Sequence, residues 1–136
     1  MPAISVRLIR SALLCLVAGA GLGALLLAAP QSGTHGWWRA HAELMLLGWT
    51  GQLALGVAYW ILPKHATGHA RGAESLARGI HPLLNAGLLL GVSAWGLGLP
   101  GWVLAASRLL ESAAIGSFVL VAWPRVKPFG IGRQGR

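Results

Sequence analysis

Apolar residues in this chain come in four long runs, and a proline closes each one. Ser11 to Ala29, Leu44 to Leu62 and Pro82 to Leu99 carry no charge and end at Pro30, Pro63 and Pro100. The fourth run, Trp102 to Trp123, holds only Arg108 and Glu111 and ends at Pro124. Crossing about 30 Å of hydrocarbon takes about 20 apolar residues at about 1.5 Å each. Proline cannot continue a helix, so the prolines set the expected boundaries. The pattern predicts an all-α membrane protein: a four-transmembrane-helix up-down bundle, one domain over residues 1–136, with spans near 8–29, 40–62, 80–99 and 102–123.

Composition agrees. The chain is 55% hydrophobic and 10% charged, where soluble domains carry about 25% charged residues. Its mean hydropathy is +0.64. The formal charge of +8 reads as orientation and contact with anionic lipid, not as a nucleic-acid partner, because the basic residues gather at helix ends. Arg7, Arg10, Lys64, Arg71, Arg78, Arg125, Lys127, Arg133 and Arg136 fall on the side of the two termini and the loop 63–79. The other side has only Arg39. The positive-inside rule then places both termini in the cytoplasm of a multi-pass protein of the bacterial inner membrane. Trp37, Trp38 and Trp102 form the expected outer aromatic belt, and Trp60 and Trp123 the inner one. Residues 1–29 also have the basic start of a signal peptide, with Leu27-Ala28-Ala29 as a cleavage site. Their apolar run exceeds the usual 7–15 residues, which favours a retained helix. The single cysteine, Cys15, cannot form an intrachain disulfide and reads as a packing residue. Glycines at 19, 21, 23, 48, 51, 56, 87, 91, 96 and 98 either let helices approach closely or leave space for a flat ligand.

Few residues can carry chemistry. His41 opens the second span, and at helical spacing Met45, Gly48, Gln52, Leu55 and Tyr59 continue its face. An imidazole followed by a thioether and then by a missing side chain at Gly48 is one way to hold a porphyrin. An interfacial histidine bonded to water or a carbonyl is the plainer alternative. Glu43 and Arg108 are expected about 6 and 9 Å below the outer boundary, counting about 1.5 Å per residue, with Glu111 one turn deeper. A lone charge at the bilayer centre costs about 3 kcal/mol or more, so Glu43, Arg108 and Glu111 are expected to cluster. Arg108 or Arg39 would then meet an anionic group such as a haem propionate, or the cluster would be a register-setting ion pair. His65, His69 and His81 fall on the inner side without supporting cysteines or carboxylates. His41 and His81 should be separated by nearly the full core thickness of about 30 Å, so they cannot share one iron. A second ligand for His41 would come from His35, Met45 or another chain. No nucleophile sits beside a base and an orienting acid, and no phosphate loop is present.

The stretches HAELMLLGW and GVAYWILPK resemble the second transmembrane helix of haem–copper oxidase subunit I, in the branch of cbb3-type oxidases and nitric oxide reductases. The resemblance is closer still to short four-helix membrane proteins that look like fragments of that subunit. It rests on His41, Ala42, Leu44, Leu47, Gly48, Trp49, Gly56, Val57, Ala58, Tyr59, Leu62, Pro63 and Lys64, and covers about two dozen of 136 residues. It implies that His41 is an axial ligand of a low-spin haem. The family's His-His pair, its His-x-x-x-Tyr and its later helices have no counterpart here, which argues against oxygen or nitric oxide reduction by this chain alone.

The expected function is therefore a b-type haem protein, using haem b for electron transfer, gas sensing or haem handling, as a homodimer or within a larger respiratory complex. A non-enzymatic accessory or assembly subunit of such a complex is the alternative. A transporter would need a polar path, and its inner half offers only Gln52 and Asn85.

Overall fold

The computed structural model describes residues 1–28, 34–63 and 74–126. These residues fold as α1 (Ala3–Ala28), α2 (His35–Glu43), a π-helical segment (Leu44–Gly51), α3 (Gln52–Ile61), α4 (Glu74–Leu97) and α5 (Gly101–Ala122), followed by one 3₁₀ turn at Trp123–Arg125. No strand occurs among the described residues. Because α2, the π segment and α3 run on without a break, the chain has four helices long and apolar enough to cross a membrane: Ala3–Ala28, His35–Ile61, Ser75–Leu97 and Gly101–Arg125. It is a multi-pass membrane protein by that measure. Only 22–33% of each apolar stretch is buried inside the protein. Leu13, Leu14, Val17, Leu25, Leu46, Leu89, Leu109 and Leu120 point outward, and lipid is the solvent that tolerates such a surface.

Two boundaries differ from the sequence reading. The first helix begins at Ala3, several residues ahead of 8, because the basic Arg7 and Arg10 extend the helix past its apolar part. The third span was expected to start near 80, with Pro82 as its edge. α4 instead begins at Glu74 and carries Pro82 inside it. A proline removes one helical hydrogen bond, which two preceding turns of helix and a packed interface can tolerate. Close to this point the Asn85 side chain donates Nδ2–H to the His81 carbonyl at 2.8 Å.

Helix contacts are set by glycines and small residues. Along α1, the sites opposite Gly56 are Ser5, Leu8 and Ile9. Gly48 meets Cys15, and Gly19 and Gly23 meet Met45 and His41. Along α4, Gly96 meets Trp37, Gly91 meets Glu43 and Gly87 meets Glu111. A side chain at any of these seven glycines would press on its neighbour, so each marks a close approach of helices. The tight turn after α4 is a left-handed cap: Gly98 has φ +65°, and the Leu99 N–H reaches the Ala94 carbonyl at 3.0 Å. Two small apolar cores fill the interior, one of Leu8, Leu84 and Ala114 and one of Tyr59, Ala77, Ile80 and Val121.

The lower end of α3 is closed by Arg125, which is fully buried. Leu62 precedes Pro63 and is extended (ψ 139°), so the last carbonyls of the helix lose their helical partners. Arg125 supplies the donors. Its Nε bonds the Pro63 carbonyl at 3.0 Å, and Nη2 bonds those of Tyr59 and Leu62 at 2.9 and 2.8 Å. The guanidinium also lies 4.9 Å from the centre of the Tyr59 ring. A cation at a helix C-terminus meets the negative end of its dipole. Arg125→Gln keeps the size but loses the charge and most of the donors. It is expected to lower stability by about 2–3 kcal/mol, read as an earlier thermal midpoint in detergent, while the same change at the exposed Arg10 should leave the midpoint in place.

Candidate functional site

The residues singled out by the sequence fall into three polar groups at different levels of the bundle. The first surrounds His41. Its ring enters the notch left by Gly19 and Gly23 on α1, with Cε1 2.7 Å from where a Gly23 Cβ would stand. His41 Nδ1 lies 2.8 Å from the Gly19 carbonyl. A carbonyl only accepts, so Nδ1 carries a proton, and in the neutral ring Nε2 keeps the lone pair. The Trp38 ring meets the imidazole edge-on, with centroids 5.9 Å apart at 87°.

The other residues expected beside His41 are placed as follows. Met45 turns toward α1, with Sδ against Gly19. Gly48 faces Cys15 and Leu88, so side chains of this chain fill the space beside it. Arg39 stacks on Trp95, its guanidinium carbon 4.6 Å from the ring centre. His35 is exposed at the first residue of α2. It stands six residues before His41, about 9 Å along the axis and well around the helix from it, so the two imidazoles of one chain do not oppose each other.

The second group is the cluster expected of the charged residues. Arg108 Nη2 bonds Glu43 Oε2 and Nη1 bonds Glu111 Oε2, both at 2.5 Å. Ser107 Oγ donates to Glu111 Oε1 at 3.4 Å. Both carboxylate side chains are 5% exposed, and the arginine is 41% exposed. The sequence reading omitted three members: Ser107, Gly87 and Gly91. Glycines four residues apart on α4 leave two notches one turn apart, and Glu111 and Glu43 occupy them. That i, i+4 spacing opposite an apolar helix bearing two charges was the available signal.

The third group lies closer to the other end. Gln52 and Asn85 exchange amide hydrogen bonds of 3.2 and 3.0 Å. Ser11 Oγ and His81 Nε2 are 2.9 Å apart. His81 therefore sits at the level of Ser11, while His41 sits at Gly19 and Gly23. The spacing along α1 is about 12–18 Å at about 1.5 Å per residue, less than the expected core thickness because His81 lies inside α4 and not at its edge. That distance still forbids a shared iron. His65 and His69 lie outside the described residues. Among the described residues, no group of three or more His, Cys, Asp or Glu side chains is placed to hold a metal ion.

Two observations bear on haem. The donor fits one axial position: an Nδ1–H held by a backbone carbonyl is how ligating histidines are commonly oriented, with Nε2 left for the metal. The cradle is different. Gly19, Gly23 and Gly48 are filled by His41, Met45, Cys15 and Leu88, and Arg108 is engaged by two carboxylates. One chain thus offers a ligand but does not enclose a porphyrin. Compared with protein-family models, curated proteins and solved structures, the chain matches none of them.

The Gln52–Asn85 pair is a cross-brace between α3 and α4. Gln52→Leu leaves Asn85 Oδ1 without its donor, while Nδ2 keeps its bond to the His81 carbonyl, and is expected to cost about 1–2 kcal/mol. Adding Asn85→Leu should recover part of that loss. A double-mutant cycle of thermal midpoints in detergent checks the coupling.

Proposed function

We propose that this chain is a b-type haem-binding protein of the bacterial inner membrane, serving electron transfer, gas sensing or haem handling, and not a complete terminal oxidase. The observation that carries the reading is the imidazole of His41, tied through Nδ1 to the Gly19 carbonyl. That bond fixes the tautomer and leaves Nε2 as the ligating atom. The resemblance of residues 41–64 to an oxidase haem helix points to the same nitrogen.

The helix pairings also support an up-and-down course. Residues 5–9, 15, 19 and 23 of α1 meet 56, 48, 45 and 41 in that order, and 37, 43 and 52 meet 96, 91 and 85. With the basic residues on the side of the termini, both ends lie in the cytoplasm and His41 lies near the periplasmic face. His41 Nε2, which borders the Gly23 notch, is the atom that would hold the iron. A second copy, or a larger respiratory partner, would complete the enclosure that one chain does not provide. A two-fold axis would bring a second His41 to the same iron. When bound, the haem supplies a one-electron couple or a gas-binding site. This chain's residues hold the imidazole: the Gly19 carbonyl accepts from Nδ1, and the notch at Gly23 receives the ring.

The second reading, a non-enzymatic accessory or assembly subunit of a respiratory complex, is favoured by the filled notches. The glycine notches beside His41 are occupied by side chains of this same chain. The absorption spectrum of haem-replete purified protein separates the two. Wild type is expected to show a Soret band that His41→Ala removes while helical content stays unchanged, and His35→Ala should keep the band. A colourless wild type rejects the haem reading in favour of the accessory one.

A further inference from the structure

α1 and α4 lie side by side from the end of the bundle at which both begin. Ile4 packs on the cluster of Ala77 and Ile80, and Leu8 on Leu84. Between them, Ser11 Oγ and His81 Nε2 are 2.9 Å apart, and both residues are half-buried. A neutral imidazole brings one N–H and a serine one O–H, and the bond between them uses only one of these donors. If the serine donates, His81 Nδ1–H is left over. If the ring donates, the serine hydroxyl is left over. A charged ring only enlarges the surplus. No further bond of either side chain is formed among the described residues. A donor without an acceptor is costly in hydrocarbon, so the pair has a bond to offer to a molecule outside the chain.

Two guanidinium groups stand one turn closer to the same end. Arg7 precedes Ser11 by four residues on α1, Arg78 precedes His81 by three on α4, and both are exposed. Residues three or four apart share a helix face, so both arginines flank the seam that holds the pair. The charge of Arg7 reaches the His81 ring. Opposing charge is sparse. Glu43 and Glu111 are bound by Arg108 elsewhere in the bundle, and Glu74 opens α4 four residues before Arg78. Toward the bilayer centre the outer side of both helices becomes apolar, with Leu14 and Leu89 exposed.

We propose that this seam binds an anionic phospholipid of the leaflet at that end, with a phosphate group as the recognised chemistry. Arg7 and Arg78 hold the phosphate through charge-assisted hydrogen bonds. The spare donor of the Ser11–His81 pair, one turn deeper, meets an ester oxygen of the same lipid. The acyl chains lie along Leu14 and Leu89. The order of groups with depth is that of a phospholipid: anion outermost, then ester, then hydrocarbon. Basic residues at a helix end attract anionic lipid in general; the donor beneath them makes this place a site. A free phosphate would satisfy the arginines but would leave that donor and the leucines unmet. The site uses neither His41 nor the Arg108 cluster, so it stands or falls apart from haem binding.

The test uses the full chain in detergent with equal amounts of phosphatidylglycerol and phosphatidylcholine of identical acyl chains, read by native mass spectrometry. Wild type is expected to retain one phosphatidylglycerol in preference to phosphatidylcholine. Arg7→Gln and Arg78→Gln should each lower the retained fraction about fivefold, and Arg7→Lys should restore most of it. The double variant Ser11→Ala/His81→Phe, which removes both donors, should also lose lipid. Arg10, about 100° around α1 from Ser11, serves as the control, and Arg10→Gln should retain as much as wild type. Circular dichroism confirms that each variant is folded. Equal retention of the two lipids by wild type overturns the proposal. So does an Arg10→Gln loss as large as that of Arg7→Gln, or a folded double variant that binds like wild type. Displacement of the lipid by millimolar inorganic phosphate also overturns it, because the seam would then be a site for a free anion.

Discussion

Close helix approach is the constraint on which this structure depends. Lipid tails are as apolar as leucine side chains, so burying leucine does not draw membrane helices together. What remains is van der Waals contact at short range and hydrogen bonds without water. The seven glycines at 19, 23, 48, 56, 87, 91 and 96 supply the first, each giving up a side chain where a neighbouring helix arrives. The notches they open receive residues with something to bond: His41 at Gly23, Glu111 at Gly87 and Glu43 at Gly91. Tight packing and polar pairing thus occur at the same places.

The polar groups divide the bundle by level. His41 with the Gly19 carbonyl ties α2 to α1, Arg108 ties α2 to α5, and Gln52 with Asn85 ties α3 to α4. Arg125 ties the end of the chain to the end of α3. Each tie joins a different pair of elements, so together they define register along the whole bundle. Polar bonds of this kind each contribute modestly in membranes, about 0.6 kcal/mol on average. Their larger effect is to make a shifted register costly, because a slipped helix leaves a charge or an amide without a partner.

Much of this was legible in the sequence. The four helices follow from apolar runs of the right length. The Glu43–Arg108–Glu111 cluster follows from the expense of lone charges and from similar depth on neighbouring helices. Pro82 misled, because a proline's effect on a helix depends on what packs around it, and single-residue rules omit that. The π-helical turns at Leu44–Gly51 had no local signature. They are visible only afterwards, in the Gln52 N–H reaching the Leu47 carbonyl and the Thr50 hydroxyl reaching the Met45 carbonyl five residues back. Gly48 shows the limit most clearly. A missing side chain predicts that something fits there, and tertiary packing decides that Cys15 and Leu88 are what fits.

The same choice bears on chemistry. Space beside a histidine helix can admit a flat cofactor or a second helix, but not both. In this chain α1 has taken the place, and His41 is oriented by it. The imidazole is therefore preorganised by an intrachain bond and left with one free nitrogen, while the charged cluster two residues further on is closed except at Arg108. The carboxylates of Glu43 and Glu111, by contrast, are met from within the four helices, by Arg108 and, at Glu111, by the Ser107 hydroxyl. The two sites share a helix and lie within one turn, yet one is oriented by α1 and the other by α5.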